Sequence, residues 1–178
     1  IVGYSAICSH RLTYPTRQVS FIGYPATTGL PAVDYRLSDN HLDPVGETEP
    51  FNVEKLVRLP KSFYCWLPDG TEPQVAPPPF DRNGHITFGS FNNAAKVSAD
   101  AIDLWMRVLN ATAGSKLRMV AVEGGEDEHF TGEFARRGVG ADRLQLVRPR
   151  PRREYLALYH DIDIALDPFP HNAGTTTI

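Results

Sequence analysis

"ITFGSFNNAAKVS", residues 86–98, begins as a strand and then stops behaving like one. Thr87, Phe88 and Phe91 suit a sheet, yet Gly89, Ser90, Asn92, Asn93 and a lone Lys96 follow before anything apolar and periodic resumes. Ser98 is a good N-cap and Asp100 suits the positive end of a helix dipole. Ala101, Ile102, Trp105, Val108 and Leu109 then fall on one face at helical spacing, which predicts a helix over 99–113 facing a sheet, with Gly114 as its C-cap. A strand, a loop of small hydrogen-bonding groups with one cation, and a helix form the opening unit of an α/β fold.

The downstream sequence repeats the alternation. "KLRMVAVE" reads as a strand, "EHFTGEFARRG" as a helix ending at Gly138, "RLQLVR" as a strand, "RREYLALYHD" as a helix and "IDIALDPFP" as a nearly apolar strand. Short apolar strands between helices indicate a parallel sheet covered on both faces. Upstream, residues 18–22, 33–39 and 55–60 read as three more strands, with a Gly-Tyr-Pro turn after the first. Between the two groups lies "LPDGTEPQVAPPPFDRN", whose prolines and turn pairs exclude a central strand and mark a linker. The expected organisation is residues 1–66, a proline-rich linker over 67–83, and residues 84–178.

Bulk properties narrow the function classes. A formal net charge of -3 gives no general attraction to nucleic acid or to an anionic membrane. No stretch approaches the roughly 18 apolar residues of a membrane span. Cys8 and Cys65 are too few for a disulfide framework or a zinc site, so reduced thiols in a cytoplasmic protein are expected. The start at "IVGYSAI", which reads as the end of a buried strand, and the stop inside "PFPHNAGTTTI" suggest a fragment.

In an open parallel sheet, ligands sit outside the carboxyl ends of the strands. The loop after "ITFGSF" is one such end, leading into a helix N-terminus whose free N–H groups favour an anion, with Lys96 as a point charge. "DPFPHNAGTTTI" repeats the logic, Gly174 permitting close backbone approach and Thr175 and Thr176 supplying donors. Two donor-rich loops from one sheet point to a diphosphate. No GxxxxGK[ST] and no GxGxxG is present, so the residues by themselves lead to an α/β phosphate binder.

"VSFIGYPATTGLPAVDYRLSD", "ITFGSFNNAAKVS" and "DIDIALDPFPHNAGTTT", in that order, resemble the catalytic region of the protein O-linked N-acetylglucosaminyltransferases, glycosyltransferase family 41, especially bacterial members carrying tetratricopeptide repeats. The resemblance implies a GT-B fold of two Rossmann-like lobes: the end of the N-terminal lobe and most of the nucleotide-binding start of the C-terminal one. It implies transfer of N-acetylglucosamine from UDP-N-acetylglucosamine to Ser or Thr hydroxyls of a protein or peptide acceptor, with inversion and with no metal and no cofactor. Lys96 matches the family's lysine on the diphosphate. Asn93 falls close to the donor, Thr175 and Thr176 match a phosphate-binding threonine pair, and Gly174 stands where animal members have His. Ile22, Gly23, Tyr24 and Pro25 match the turn lining the sugar pocket, and Arg152 a lysine beside the uridine.

Tyr155 replaces a usual His near the nucleoside, where it could stack. The segment "GYSAICSHRLTYPTRQVSF" departs from the family's pattern. The family's histidine base would precede Ile1 and its ribose carboxylate would follow Ile178. Two alternatives stand beside this reading: a UDP-glucose-dependent protein N-glucosyltransferase of the same family, and a non-catalytic sugar-nucleotide or scaffold module.

The other polar residues invite structural readings. His10, His41, His85, His129, His160 and His171 lack metal-ligand spacing. Asp161 and Asp163 flank a buried strand as turn and cap groups, "EGGEDEH" reads as a solvated loop, and in "RPRPRR" one arginine at the donor with a solvated remainder outweighs a nucleic-acid role. Trp66 and Trp105 read as core.

Overall fold

The computed structural model describes residues 17–68, 70, 72–121, 126–174 and 176. Expectations for residues 1–16, Cys8 and His10 among them, and for Thr175 fall outside these residues. The chain divides into two compact units, Ile1–Trp66 and Leu67–Ile178.

In the first unit β1 (Val19–Ser20), β2 (Tyr35–Asp39) and β3 (Lys55–Leu59) form a parallel sheet in that order. The connections between them carry a single-turn 3-10 helix at Glu49–Phe51 and, among the described residues, no α-helix. Helix-free crossovers leave little apolar cover, and β2 accordingly buries Arg36, Ser38 and Asp39. Arg36 Nη2 pairs with Asp43 Oδ2 at 2.5 Å and its Nε donates to Asn52 Oδ1 at 3.0 Å, while Ser38 also donates to Asp43. Trp66, expected in the core, is 37% exposed. It is the last residue of its unit, where little chain remains to cover a large ring.

The second unit holds a four-stranded parallel sheet: β4 (Thr87–Ser90), β5 (Lys116–Val120), β6 (Leu144–Val147) and β7 (Ile164–Ala165), in the order β6-β5-β4-β7. The helices are α1 (Phe80–Asn83), α2 (Ala99–Ala111), α3 (Glu126–Arg136) and α4 (Arg152–Ala157), the last running on into a 3-10 turn at Leu158–Asp161. Ser98 caps α2, its Oγ accepting from Ala101 N at 3.1 Å. Ala101, Ile102, Trp105 and Leu109 are buried as their spacing predicts; Met106 joins them and Val108 sits at the margin. With Phe88, Leu117, Met119 and Phe134 they form the main core, each large apolar side chain contributing about 1.5–3 kcal/mol by burial. α2 ends at Ala111 rather than at 113, and Gly114, at φ 71°, makes the turn that follows.

One further expectation changes, and the proline-rich segment gains an anchor. Within "EGGEDEH", α3 begins at Glu126, two residues before the expected helix start at Glu128, and Asp127 suits a helix N-terminus. The proline-rich segment belongs to the second unit, where Asp163 fastens it: Oδ1 accepts from Phe80 N and Oδ2 from Thr87 N, both at 2.8 Å.

Strand order fixes where a ligand belongs. From β4 the chain winds outward through β5 and β6, then returns along α4 to place β7 on the other side of β4. The connections therefore reverse direction between β4 and β7, and in open parallel sheets it is outside the carboxyl ends at such a reversal that ligands bind.

Candidate functional site

Both loops singled out in the sequence leave the sheet at this switch point, after β4 and after β7. In the first, Asn93 turns the chain by accepting Ala95 N on its Oδ1 at 3.0 Å, and residues Ala94–Lys96 wind into a 3-10 turn. The two loops are stitched to one another. Lys96 Nζ donates to Asn172 O at 3.3 Å, Thr176 Oγ1 to Asn92 Oδ1 at 3.1 Å, and Ser98 Oγ to Phe169 O at 2.8 Å. Asn92 is buried, so its side chain acts as a structural strut. Ser90 Oγ, buried at the end of β4, has no hydrogen-bond partner among the described residues.

Two tyrosines brace the loops from α4 and the turn after it. Tyr155 OH donates to Phe91 O at 2.6 Å, and Tyr159 OH to Thr176 O at 3.2 Å. They lie four residues apart, hence on one helical face, and both meet the ring of Phe91 edge-on. Burial pushes the pKa of each phenol up, so both remain O–H donors through the physiological range. The sequence reading gave Tyr155 a place beside the nucleoside; the structure engages its hydroxyl with backbone. Tyr159 was missed, although its spacing from Tyr155 was the available signal. Arg152 Nη2, in the first turn of α4, pairs with Glu72 Oε1 at 2.9 Å.

The second unit thus places Asn93, Lys96, Tyr155 and Thr176 on or against the two loops, each held by its own hydrogen bond, with Gly174 in the same loop as Thr176. Its chemical character is a cation and hydroxyl and amide donors at the strand ends, which suits an anion such as a diphosphate. Among the described residues, no group of three or more His, Cys, Asp or Glu could hold a metal ion.

The first unit carries Ile22, Gly23, Tyr24 and Pro25 just after β1. Gly23 N donates to Phe21 O at 2.8 Å, closing a three-residue turn around Ile22, whose φ is 60°. A β-branched residue rarely occupies positive φ, and such strain costs of order 1–3 kcal/mol. Ile22 and Tyr24 are exposed on this turn. Strain of this kind clusters at ligand sites and needs surrounding structure to hold it.

No family model matches the chain. It is 41% identical over 167 residues to a Petunia hybrida protein named probable UDP-N-acetylglucosamine–peptide N-acetylglucosaminyltransferase SPINDLY, an alignment covering 90% of this chain and 17% of that protein. To the probable transferase of the same activity named SEC from Arabidopsis thaliana it is 25% identical, over 89% of this chain and 17% of the relative. Among solved structures, the K341M mutant of Thermobaculum terrenum O-GlcNAc transferase superimposes with a TM-score of 0.81 at 34% identity, covering 90% of this chain and 30% of that one. The α/β class of GT-B type expected from the three motifs is therefore the class found. The chain spans about a sixth of the length of the curated relatives it matches.

Proposed function

We propose that this chain, related over nine-tenths of its length to peptide N-acetylglucosaminyltransferases, belongs to a protein that transfers N-acetylglucosamine from UDP-N-acetylglucosamine to Ser or Thr hydroxyls. In this reading the acceptor oxygen attacks the anomeric carbon, the bond to the diphosphate breaks, and the electron pair leaves on UDP. Lys96 is the catalytic group: from the switch point it stabilises negative charge developing on the leaving phosphate. Asn93, Gly174, Thr175 and Thr176 contact the diphosphate through backbone and hydroxyl donors. Arg152 and Tyr155 flank the nucleoside, and Ile22, Gly23, Tyr24 and Pro25 face the sugar. Lysine and hydroxyl donors take the part a divalent cation plays elsewhere, so no metal or other cofactor is required. On this reading the protein is cytoplasmic, carries tetratricopeptide repeats and takes a protein acceptor. No helix among the described residues is long and apolar enough to cross a membrane.

The observation that carries this reading is the convergence of the loops after β4 and β7, with Lys96 reaching Asn172 of the other loop. The test is turnover by the full-length protein of UDP-N-acetylglucosamine, UDP-glucose and GDP-linked sugars on a Ser/Thr acceptor, with and without EDTA. The expected result is preference for the first donor, undiminished by chelation. Lys96→Ala should lower kcat/KM at least tenfold, about 1.4 kcal/mol. Turnover of another donor in preference, or metal dependence, would overturn the assignment.

A further inference from the structure

Glu54 lies one residue before β3 and is buried although it carries a charge. No cation faces it. Its partners come from the loop after the Ile22–Pro25 turn: Thr27 Oγ1 donates to Oε2 at 2.7 Å, Thr28 N donates to Oε1 at 2.6 Å, and Thr28 Oγ1 donates to Oε1 as well. Both hydroxyls also accept backbone N–H groups. Thr27 Oγ1 receives Gly29 N at 3.1 Å and Val53 N at 3.3 Å, and Thr28 Oγ1 receives Leu30 N at 3.2 Å. Because those oxygens already accept backbone N–H groups, each hydroxyl has only its proton to offer Glu54. Only an acceptor satisfies them, and a carboxylate presents two acceptor oxygens. One side chain thereby fixes the backbone of residues 27–30 and ties it to the start of β3. Burial alone would raise the pKa of Glu54, but the bonds from Thr28 and Thr27 outweigh it and hold the group below the ordinary glutamate value.

We propose that Glu54 is a positioning residue for the donor sugar: it anchors the Thr27–Thr28 pair, and through it the strained turn at Ile22 to Pro25. This rests on the functional reading above for the role of that turn, while the anchor stands on its own geometry. A loosened turn would lose orientation toward the sugar, while the turn itself carries none of the residues assigned to the diphosphate.

The test pairs two readouts. In the 178-residue chain, the Thr28 amide proton should resonate downfield and titrate with Glu54 at acid pH; in Glu54→Gln it should move upfield and lose that titration. In the full-length protein, Glu54→Gln should raise the KM for the sugar donor roughly tenfold and leave the inhibition constant of UDP unchanged. Thr27→Val, which keeps the β-branched shape and removes one of the bonds to Glu54 together with those from Gly29 N and Val53 N, should shift both readouts the same way by less. An unmoved Thr28 amide would overturn the anchor whatever the activity. A moved amide with donor KM and UDP inhibition rising in parallel would overturn the positioning role. Should the wild-type protein turn over no nucleotide sugar, the functional reading falls, and the amide still decides the anchor.

Discussion

β2 in the first unit buries Arg36, Ser38 and Asp39, whereas β5 in the second buries Leu117 and Met119. Both are central strands of parallel sheets, yet the interiors around them differ in kind. In the second unit helices cover the sheet, and apolar burial supplies the stability. In the first the crossovers are loops, and carboxylates bond the backbone in place of helices: Asp39 accepts His41 N and Leu42 N at 2.8 Å and also Phe63 N, and Glu54 holds Thr27 and Thr28. A polar interior is specific but brittle, since each group depends on its partner. The two units should therefore fail under different insults.

The largest effect is expected from breaking the polar interior. Arg36 is 1% exposed and its pairing with Asp43 is buried on both sides. Arg36→Met fills similar volume but leaves the Asp43 carboxylate without its cation, a change that costs about 3–5 kcal/mol. Denaturant unfolding followed at amides of β2 and β3 should show that loss, with amides of β5 and β6 hardly affected. A cost under about 1 kcal/mol would mean that the ion pair does not hold this unit.

In the apolar unit the comparable break is steric. A Cβ on Gly89 would sit 2.5 Å from Ile162 Cγ2 and 2.6 Å from Cδ1. Cγ2 is fixed to a buried β-branched residue and cannot swing away. Gly89→Ala should therefore destabilise the second unit by about 1–3 kcal/mol, read as a lower melting temperature. Little change would show that α4 and the turn after it can lift from the sheet.

Acid separates the units without mutation. Asp34, Asp39, Glu49 and Glu54, all in the first unit, are held below their ordinary pKa values. For Asp39 burial opposes this, and the N–H groups of Phe63, Leu42 and His41 outweigh it. A depressed carboxylate contributes stability that is present above its unfolded pKa, about 4, and is lost as pH falls through the folded value. Below about pH 4 the first unit should accordingly exchange its β2 amides before the second exchanges those of β5. Simultaneous exchange would indicate that the units unfold as one.

The same difference explains what the sequence disclosed. Periodicity reports apolar burial, so α2, β5 and the β4 loop could be read from residue spacing, and the rule for parallel sheets placed Lys96 and Gly174 at strand ends. It does not report a carboxylate that bonds backbone across 26 residues, and Glu54 carried no local signal. Gly89, read among the groups that end the strand, lies inside β4 and yields space to Ile162. Strand lengths were overread wherever an apolar run continued into loop. "IDIALDPFP" contains only Ile164–Ala165 as strand, because Asp163 is spent on fastening Phe80 and Thr87, and Leu166 already packs against the core from the loop.

The smallest effect sharpens the comparison at the site itself, where the second unit does use polar ties. Tyr155 holds the loop after β4 through Phe91 O, and Tyr159 holds the loop after β7 through Thr176 O. Each Tyr→Phe substitution keeps the ring and its packing against Phe91 and removes one hydroxyl, worth about 0.5–1.5 kcal/mol net. Because a packed apolar core supports the rings, global stability should fall by no more than that. UDP binding to the full-length protein, read by calorimetry, should weaken a few-fold in either variant. If the two loops act as one site, stitched by Lys96 to Asn172 and by Thr176 to Asn92, the double variant should lose less than the product of the single effects. Losses that multiply would show two loops ordered independently, each meeting the nucleotide alone.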